Sequence, residues 1–240
     1  MNSSIAFLVL ALSVVGSNAG LAPFIKKCRS EDSKCLKEVA QATIPLFAAG
    51  IPELGVQRLE PFYMKYLDAS SPGLSLKLWE VKGTGLKDCI AKKIQRDTGK
   101  SKLIVKLQCT VDFVAKYEMN GRLLVLPIEG KGDAHVVLRK VVITADVDMG
   151  DKIGKDGEKH WKVKSFRHTY DLKDESTIEL ENLFNGNEVL GRAARDLIKS
   201  SSNEIVKEVG PPIVKAIVST IVETVDKFFQ NVPASELSLD

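Results

Sequence analysis

The sequence predicts an α+β protein in which a long C-terminal helix is wrapped by a strongly curved antiparallel β-sheet. Two stretches carry that prediction. From Leu103 to Met119 every odd position is apolar or a thiol (Leu103, Val105, Leu107, Cys109, Val111, Phe113, Ala115, Tyr117, Met119), and the even positions are polar save Ile104 and Val114. A period of two means one strand, wet on one face and oily on the other. At about 3.3 Å per residue it reaches roughly 55 Å, and a strand that long in a small chain must twist and curl. From Ile213 to Gln230 the polar residues Lys215, Ser219, Glu223, Asp226, Lys227 and Gln230 form one narrow stripe, and Val214, Ile217, Val218, Ile221, Val222, Val225, Phe228 and Phe229 cover the rest. A helix of about 28 Å, oily on most of its circumference and built from mediocre helix formers, depends on what surrounds it. A long oily helix and a long sheet oily on one side are complementary surfaces.

In chain order, the first 25 residues carry no charge, Ile5–Val15 is almost wholly apolar, and Ser17-Asn18-Ala19 offers small residues for cleavage. This reads as a secretory signal over residues 1–19, since the apolar run is too short to span a bilayer. Residues 20–240 then read as one domain. A helix is expected from about Asp32 to Ala49, with Ser30 as N-cap, Pro45 as a kink and Gly50 as its stop. Strands follow at Leu74–Val81, Leu86–Arg96, Ser101–Met119, Arg122–Ile128, Ala134–Met149 and Trp161–Tyr170. Turns are expected at Gly83-Thr84-Gly85, Asn120-Gly121, Gly130-Lys131-Gly132 and Gly154–Gly157. In the strand from Ala134 the oily parity switches, from Val136 and Leu138 to Val141, Ile143, Ala145, Val147 and Met149, as a bulge would make it do. A helix through Leu190, Ala194, Leu197, Ile205 and Val209 should break at Pro211-Pro212 before the final helix begins.

Four cysteines in a secreted chain point to two disulfides. Cys28–Cys35 would tie the N-terminal tail to the first helix. Cys89 and Cys109 flank a hairpin turning near Asp97-Thr98-Gly99-Lys100. A three-residue loop sets them opposite, whereas a two-residue loop fits the apolar pattern, aligning Ile90 with Leu107 and Ile94 with Leu103; a bulge would reconcile the two.

The chemistry of most enzyme classes is missing. There is no Gly-x-Ser-x-Gly, His-Glu-x-x-His or phosphate-binding loop, so no catalytic residue, metal or cofactor is expected. Gly83-Thr84-Gly85 has Asp88 where a dinucleotide loop needs glycine. His135, His160 and His168 lack metal-ligand spacing. The net charge of +3, spread among 34 basic and 31 acidic residues, gives no basic patch for nucleic acid.

Several segments resemble the insect takeout and juvenile-hormone-binding protein family. Cys28 and Cys35 match its N-terminal pair, and Gly50-Ile51-Pro52-Glu53-Leu54-Gly55 with Leu59-Glu60-Pro61 matches its post-helix linker. Gly121–Ile128 before Gly130-Lys131-Gly132, and Leu183-Phe184-Asn185-Gly186-Asn187 with Leu190-Gly191, also match, as does Val232-Pro233. No cysteine follows Cys109, so the chain lies nearer the takeout branch than the hormone carriers of moth haemolymph. The resemblance implies a sheet curled around a helix, enclosing a hydrophobic tunnel. It also implies a secreted, monomeric, non-enzymatic carrier of a juvenile-hormone-like terpenoid or fatty acyl lipid, linked to circadian, feeding or other behaviour, with no stable membrane insertion. The alternative is a secreted signal acting through a receptor without carrying a ligand. The side chains expected to face a ligand are Phe113, Tyr117, Leu124, Leu126, Val136, Leu138, Ile217, Ile221, Val225 and Phe228.

Overall fold

The computed structural model describes residues 20–240, so the signal segment read at 1–19 lies outside the described residues. Two long strands, β4 (Lys102–Leu123) and β5 (Leu126–Ile153), pair antiparallel and form the spine of a seven-stranded sheet. Each spine strand carries two shorter strands end to end on its other edge. β3 (Ile90–Asp97) and β2 (Leu74–Thr84) share β4, while β6 (Lys159–Leu172) and β7 (Thr177–Leu180) share β5. β1 (Phe62–Asp68) extends the sheet beyond β2.

Both end-to-end junctions fall on one crease. Cys109 faces Val141 and Val111 faces Leu138, so Arg139 and Lys140 stand against Thr110 alone. This is the bulge expected from the parity switch, with Lys140 at φ 48°. Beside it, Gly85 lies so close to β4 that a Cβ there would sit 2.1 Å from the Thr110 carbonyl oxygen. Gly83-Thr84-Gly85 is therefore a jog between collinear strands and not a hairpin. The Glu60 carboxylate satisfies the jog by accepting from the amides of Gly85 and Lys87.

Among the described residues four α-helices accompany the sheet: α1 (Ser33–Ala49), α2 (Glu188–Ser200), α3 (Ser202–Asn231) and the short α4 (Ala234–Leu237). The curl can be measured against α3. Tyr170, opposite Ile143 on β5, donates its hydroxyl to Val206 O at 2.9 Å. The amide of Leu124, at the tip of the same spine, donates to the Glu208 carboxylate at 3.2 Å. Leu124 and Ile143 would lie about 60 Å apart on a straight strand, yet they meet residues within one helical turn. The spine bends around the helix.

Several expectations change. The N-cap of α1 is Asp32, whose carboxylate accepts from the Cys35 amide, and not Ser30, which binds Asp240 instead. The β4–β5 turn is Leu124-Val125; Asn120-Gly121 lies within β4, where Gly121 admits the Gly73 carbonyl. Gly130-Lys131-Gly132 lies inside β5, which joins the two expected strands into one. Cβ atoms at Gly130 and Gly132 would sit 2.6 Å from Tyr117 Oη and from the Glu181 carbonyl oxygen respectively, so close packing requires glycine there. The helix breaks at Ser201, and α3 runs through Pro211-Pro212. The prolines remove two amides but keep helical φ, and the Tyr170 hydroxyl binds the adjacent turn. The segment at Leu86–Asp88 is a 3₁₀ turn, while β1 and β7 were not anticipated.

Both disulfides form, with Cα–Cα distances of 5.8 Å for Cys28–Cys35 and 4.4 Å for Cys89–Cys109. The β3–β4 turn matches neither expected loop, because Asp97 pairs with Lys102 and Ile94 with Val105. A bulge between Ala91 and Lys93 then shifts the register so that Ile90 pairs with Gln108, which sets the two cysteines opposite.

Candidate functional site

The inner face of the curled sheet follows the alternation of the sequence. On β4 it presents Val111, Phe113, Ala115, Tyr117 and Met119; on β5 it presents Ile128, Ala134, Val136 and Leu138 before the crease and Val141, Ile143 and Ala145 after it. One apolar cluster gathers eight of the ten candidate residues. Tyr117, Leu138 and Ile217 are buried in it, and Phe113, Leu124, Leu126, Val136 and Ile221 are half-buried against it. Tyr117 is fixed by its hydroxyl, which donates to Glu181 O at 2.7 Å, and burial pushes its pKa up to about 12.

The other two candidates stand apart. Phe228 is buried in a second cluster with Val56, Val232 and Leu54, and its ring meets that of Phe47 edge-on at 4.9 Å. That cluster caps the far end of α3. Val225 is half-buried and belongs to neither group. A third cluster, with Val147 and Met149 at its centre and Trp161, Phe166 and Phe229 against it, lies between β5, β6 and the end of α3.

The structure adds inner-face residues that the sequence reading did not single out. Met64 and Leu67 come from β1, Ile178 and Leu180 from β7, and Phe184, Val209 and Ile213 from the C-terminal segment. All are half-buried apolar side chains touching the main cluster. β1 and β7 are short, and β1 follows a proline-rich linker, so neither gave a clear period-two signal. A surface of this kind binds by removing apolar area from water, worth about 25 cal/mol per Å².

Polar groups sit mostly on the outer face. His135 is held between Asp112 at 3.0 Å and Glu179 at 3.2 Å, and its pKa is raised first by the Glu179 hydrogen bond. It borders a depression of about 340 Å³ lined by Glu80, Lys116, Asp133, Glu179 and Glu181. Among the described residues no group of three or more His, Cys, Asp or Glu side chains is placed to hold a metal ion. Among them, too, no helix is long and apolar enough to cross a membrane.

Residues 5–239 match the model of the haemolymph juvenile hormone binding protein family. The chain belongs to that family. Among family relatives, the circadian clock-controlled protein daywake of Drosophila melanogaster is 26% identical over 234 residues, covering 92% of this chain and 90% of that protein. Its Drosophila yakuba counterpart is 24% identical over the same coverage. The crystal structure of Takeout 1 from Epiphyas postvittana superposes with a TM-score of 0.87 at 28% identity, covering 90% of this chain and all of Takeout 1. The family's architecture, a large open antiparallel sheet with a long C-terminal helix, is the one built above from the alternation and the crease.

Proposed function

We propose that this protein is a secreted, non-enzymatic carrier of a small hydrophobic ligand, of the juvenile-hormone-like terpenoid or fatty acyl class. The observation that carries the reading is the concave apolar face. Its half-buried side chains from β1, β4, β5, β7 and α3 meet in one apolar cluster without being fully covered by one another. Membership in a family of hormone-binding haemolymph proteins supports the same reading, and two disulfides fit an oxidising extracellular setting. The clock-controlled description of the Drosophila relatives supports a place in rhythm-linked physiology. A site of this kind selects by tail length and by a few polar groups, so one chain can carry several ligands.

The test is displacement of a fluorescent fatty-acid analogue, with Ile221→Trp as the probe of the site. Ile221 lies on the face of α3 that touches the main cluster. The indole should fill the interior and weaken binding while the protein still folds. A lower melting temperature, corresponding to a stability loss of about 1–3 kcal/mol, with unchanged affinity would mean sealed core at this position and would move the site away from α3.

A further inference from the structure

We infer that the outer face of β1 and β2 is a docking surface for a phospholipid bilayer, where the protein exchanges its ligand with a membrane. The docking goes beyond the carrier reading; only the exchange of ligand there rests on it. Tyr63 and Tyr66 are 62% and 48% exposed, and they are the only exposed aromatic side chains among the described residues. Both lie within the seven residues of β1. Tyr66 packs on Trp79, its cross-strand partner on β2, with ring centroids 5.7 Å apart. The local backbone builds this patch. The β1–β2 register skips Lys65 and Glu80, and Glu80 has a φ of 51°. Two consecutive residues of each strand therefore avoid the inner face: Lys65 and Tyr66 stand between Met64 and Leu67, and Trp79 and Glu80 between Leu78 and Val81. Met64, Leu67, Leu78 and Val81 all belong to the main apolar cluster on the other side. Single exposed apolar side chains are ordinary, whereas rings gathered on one strand mark a contact surface.

The chemistry of the patch identifies the partner. Tyrosine and tryptophan join an apolar ring to a polar tip, which suits the boundary between lipid tails and head groups. Around the rings stand Lys65, Lys77 and Lys82. Lysines further into the sheet are paired, Lys116 with Asp133 at 2.9 Å and Lys131 with Glu118 at 3.1 Å. Lys65, Lys77 and Lys82 form no ion pair among the described residues. The two carboxylates of the patch are placed otherwise: Asp68 accepts the Ser70 amide at 3.0 Å opposite Lys77, and Glu80 lines the depression it shares with Lys116. A lysine stem can lie along apolar surface while its ammonium group reaches a lipid phosphate. A second copy of this chain seated by the same patch would set lysine against lysine, whereas a bilayer presents anionic phosphates. Position supports the same partner. β1 ends the sheet path, and among the described residues no strand pairs with its outer edge. A bilayer docked there lies beside the strand whose inner side chains, Met64 and Leu67, are half-buried against the proposed ligand face.

The experiment is co-sedimentation of the full secreted chain with vesicles of phosphatidylcholine and phosphatidylserine, alongside transfer of a fluorescent fatty acid from the protein to the same vesicles. Wild type should bind, more weakly as salt rises. Tyr63→Ser with Tyr66→Ser, and separately Lys65→Gln with Lys82→Gln, should each weaken binding about tenfold or more. Trp79 and Trp161 are the two tryptophans of the chain, so Trp161→Phe leaves Trp79 as the reporter, and brominated lipid should quench it. Transfer should speed up with vesicle concentration in wild type and lose that dependence in both double variants, whose affinity for the fatty acid stays in place. No vesicle binding, binding untouched by both double variants, or an unquenched Trp79 would overturn the docking surface and leave the carrier reading standing. Self-association that the same substitutions abolish, without vesicle binding, would overturn it in favour of a second copy. Vesicle binding by a protein that takes up no fatty acid would overturn the carrier reading and leave the docking standing. Should the tyrosine variant fail to fold, the exposed Lys65 and Lys82 carry the test.

Discussion

Tyr117 shows how one residue fixes its neighbours. Its ring is buried at the centre of the main cluster, its hydroxyl is committed to Glu181 O, and Gly130 is a glycine because Tyr117 Oη occupies the space of a Cβ. Gly130→Ala should therefore cost about 1–3 kcal/mol through overpacking. Tyr117→Phe should cost about 1 kcal/mol by removing a part-buried hydrogen bond. Because the second change removes the atom that the first one strikes, the double variant should lose less than the sum, which a denaturant double-mutant cycle reads directly. Strict additivity would mean that the two do not meet. On the outer face His135 offers a pH test. Its folded pKa is raised, so its contribution is fully present below the unfolded value of about 6.5 and is lost as pH climbs through the raised value. His135→Gln should lower the melting temperature at about pH 5.5 more than at about pH 8.5. An equal loss at both would contradict the pairing with Glu179 and Asp112.

At the scale of elements, α3 depends on its anchors to β6. Asp226 accepts the Val163 amide, and its other oxygen receives Gln230 Nε2, whose partner oxygen in turn receives Lys152 Nζ. Asp226→Ala should cost about 1–3 kcal/mol and speed hydrogen exchange at the Val163 amide, since an edge-strand donor loses its partner. Unchanged exchange there would show that the anchor is not needed. The elements also show what the sequence made legible. β4 could be read because it alternates for most of its length, and the crease in β5 because the oily parity switches between Leu138 and Val141. Glycine and proline misled where they serve packing. Gly121, Gly130 and Gly132 make room for a carbonyl or a phenol inside strands, so they looked like turns, and the true turn at Leu124-Val125 has no turn residue. Pro211-Pro212 looked like a break because a tertiary partner, Tyr170, is invisible in local pattern. The same blindness held for the candidate site. Inner-face residues on long strands were predictable by parity, whereas those on β1 and β7 depend on pairings that only the fold supplies.

The whole molecule is a sheet creased once and curled about a helix, with the crease stapled by Cys89–Cys109, where β3 meets the spine. That bridge closes a loop of 20 residues, so replacing both cysteines by alanine should cost about 3 kcal/mol by the chain-entropy account, read as a shift in denaturant midpoint. A negligible shift would mean that the crease holds without it. The central claim is that the concave apolar face carries a lipid. The most direct measurement is organic extraction of the protein purified from an insect-cell secretion medium, followed by mass spectrometry of the extract. The account predicts an acyl or terpenoid lipid recovered in near-stoichiometric amount and displaced by added fatty acid. Protein that yields no lipid and takes up no hydrophobic probe would contradict it.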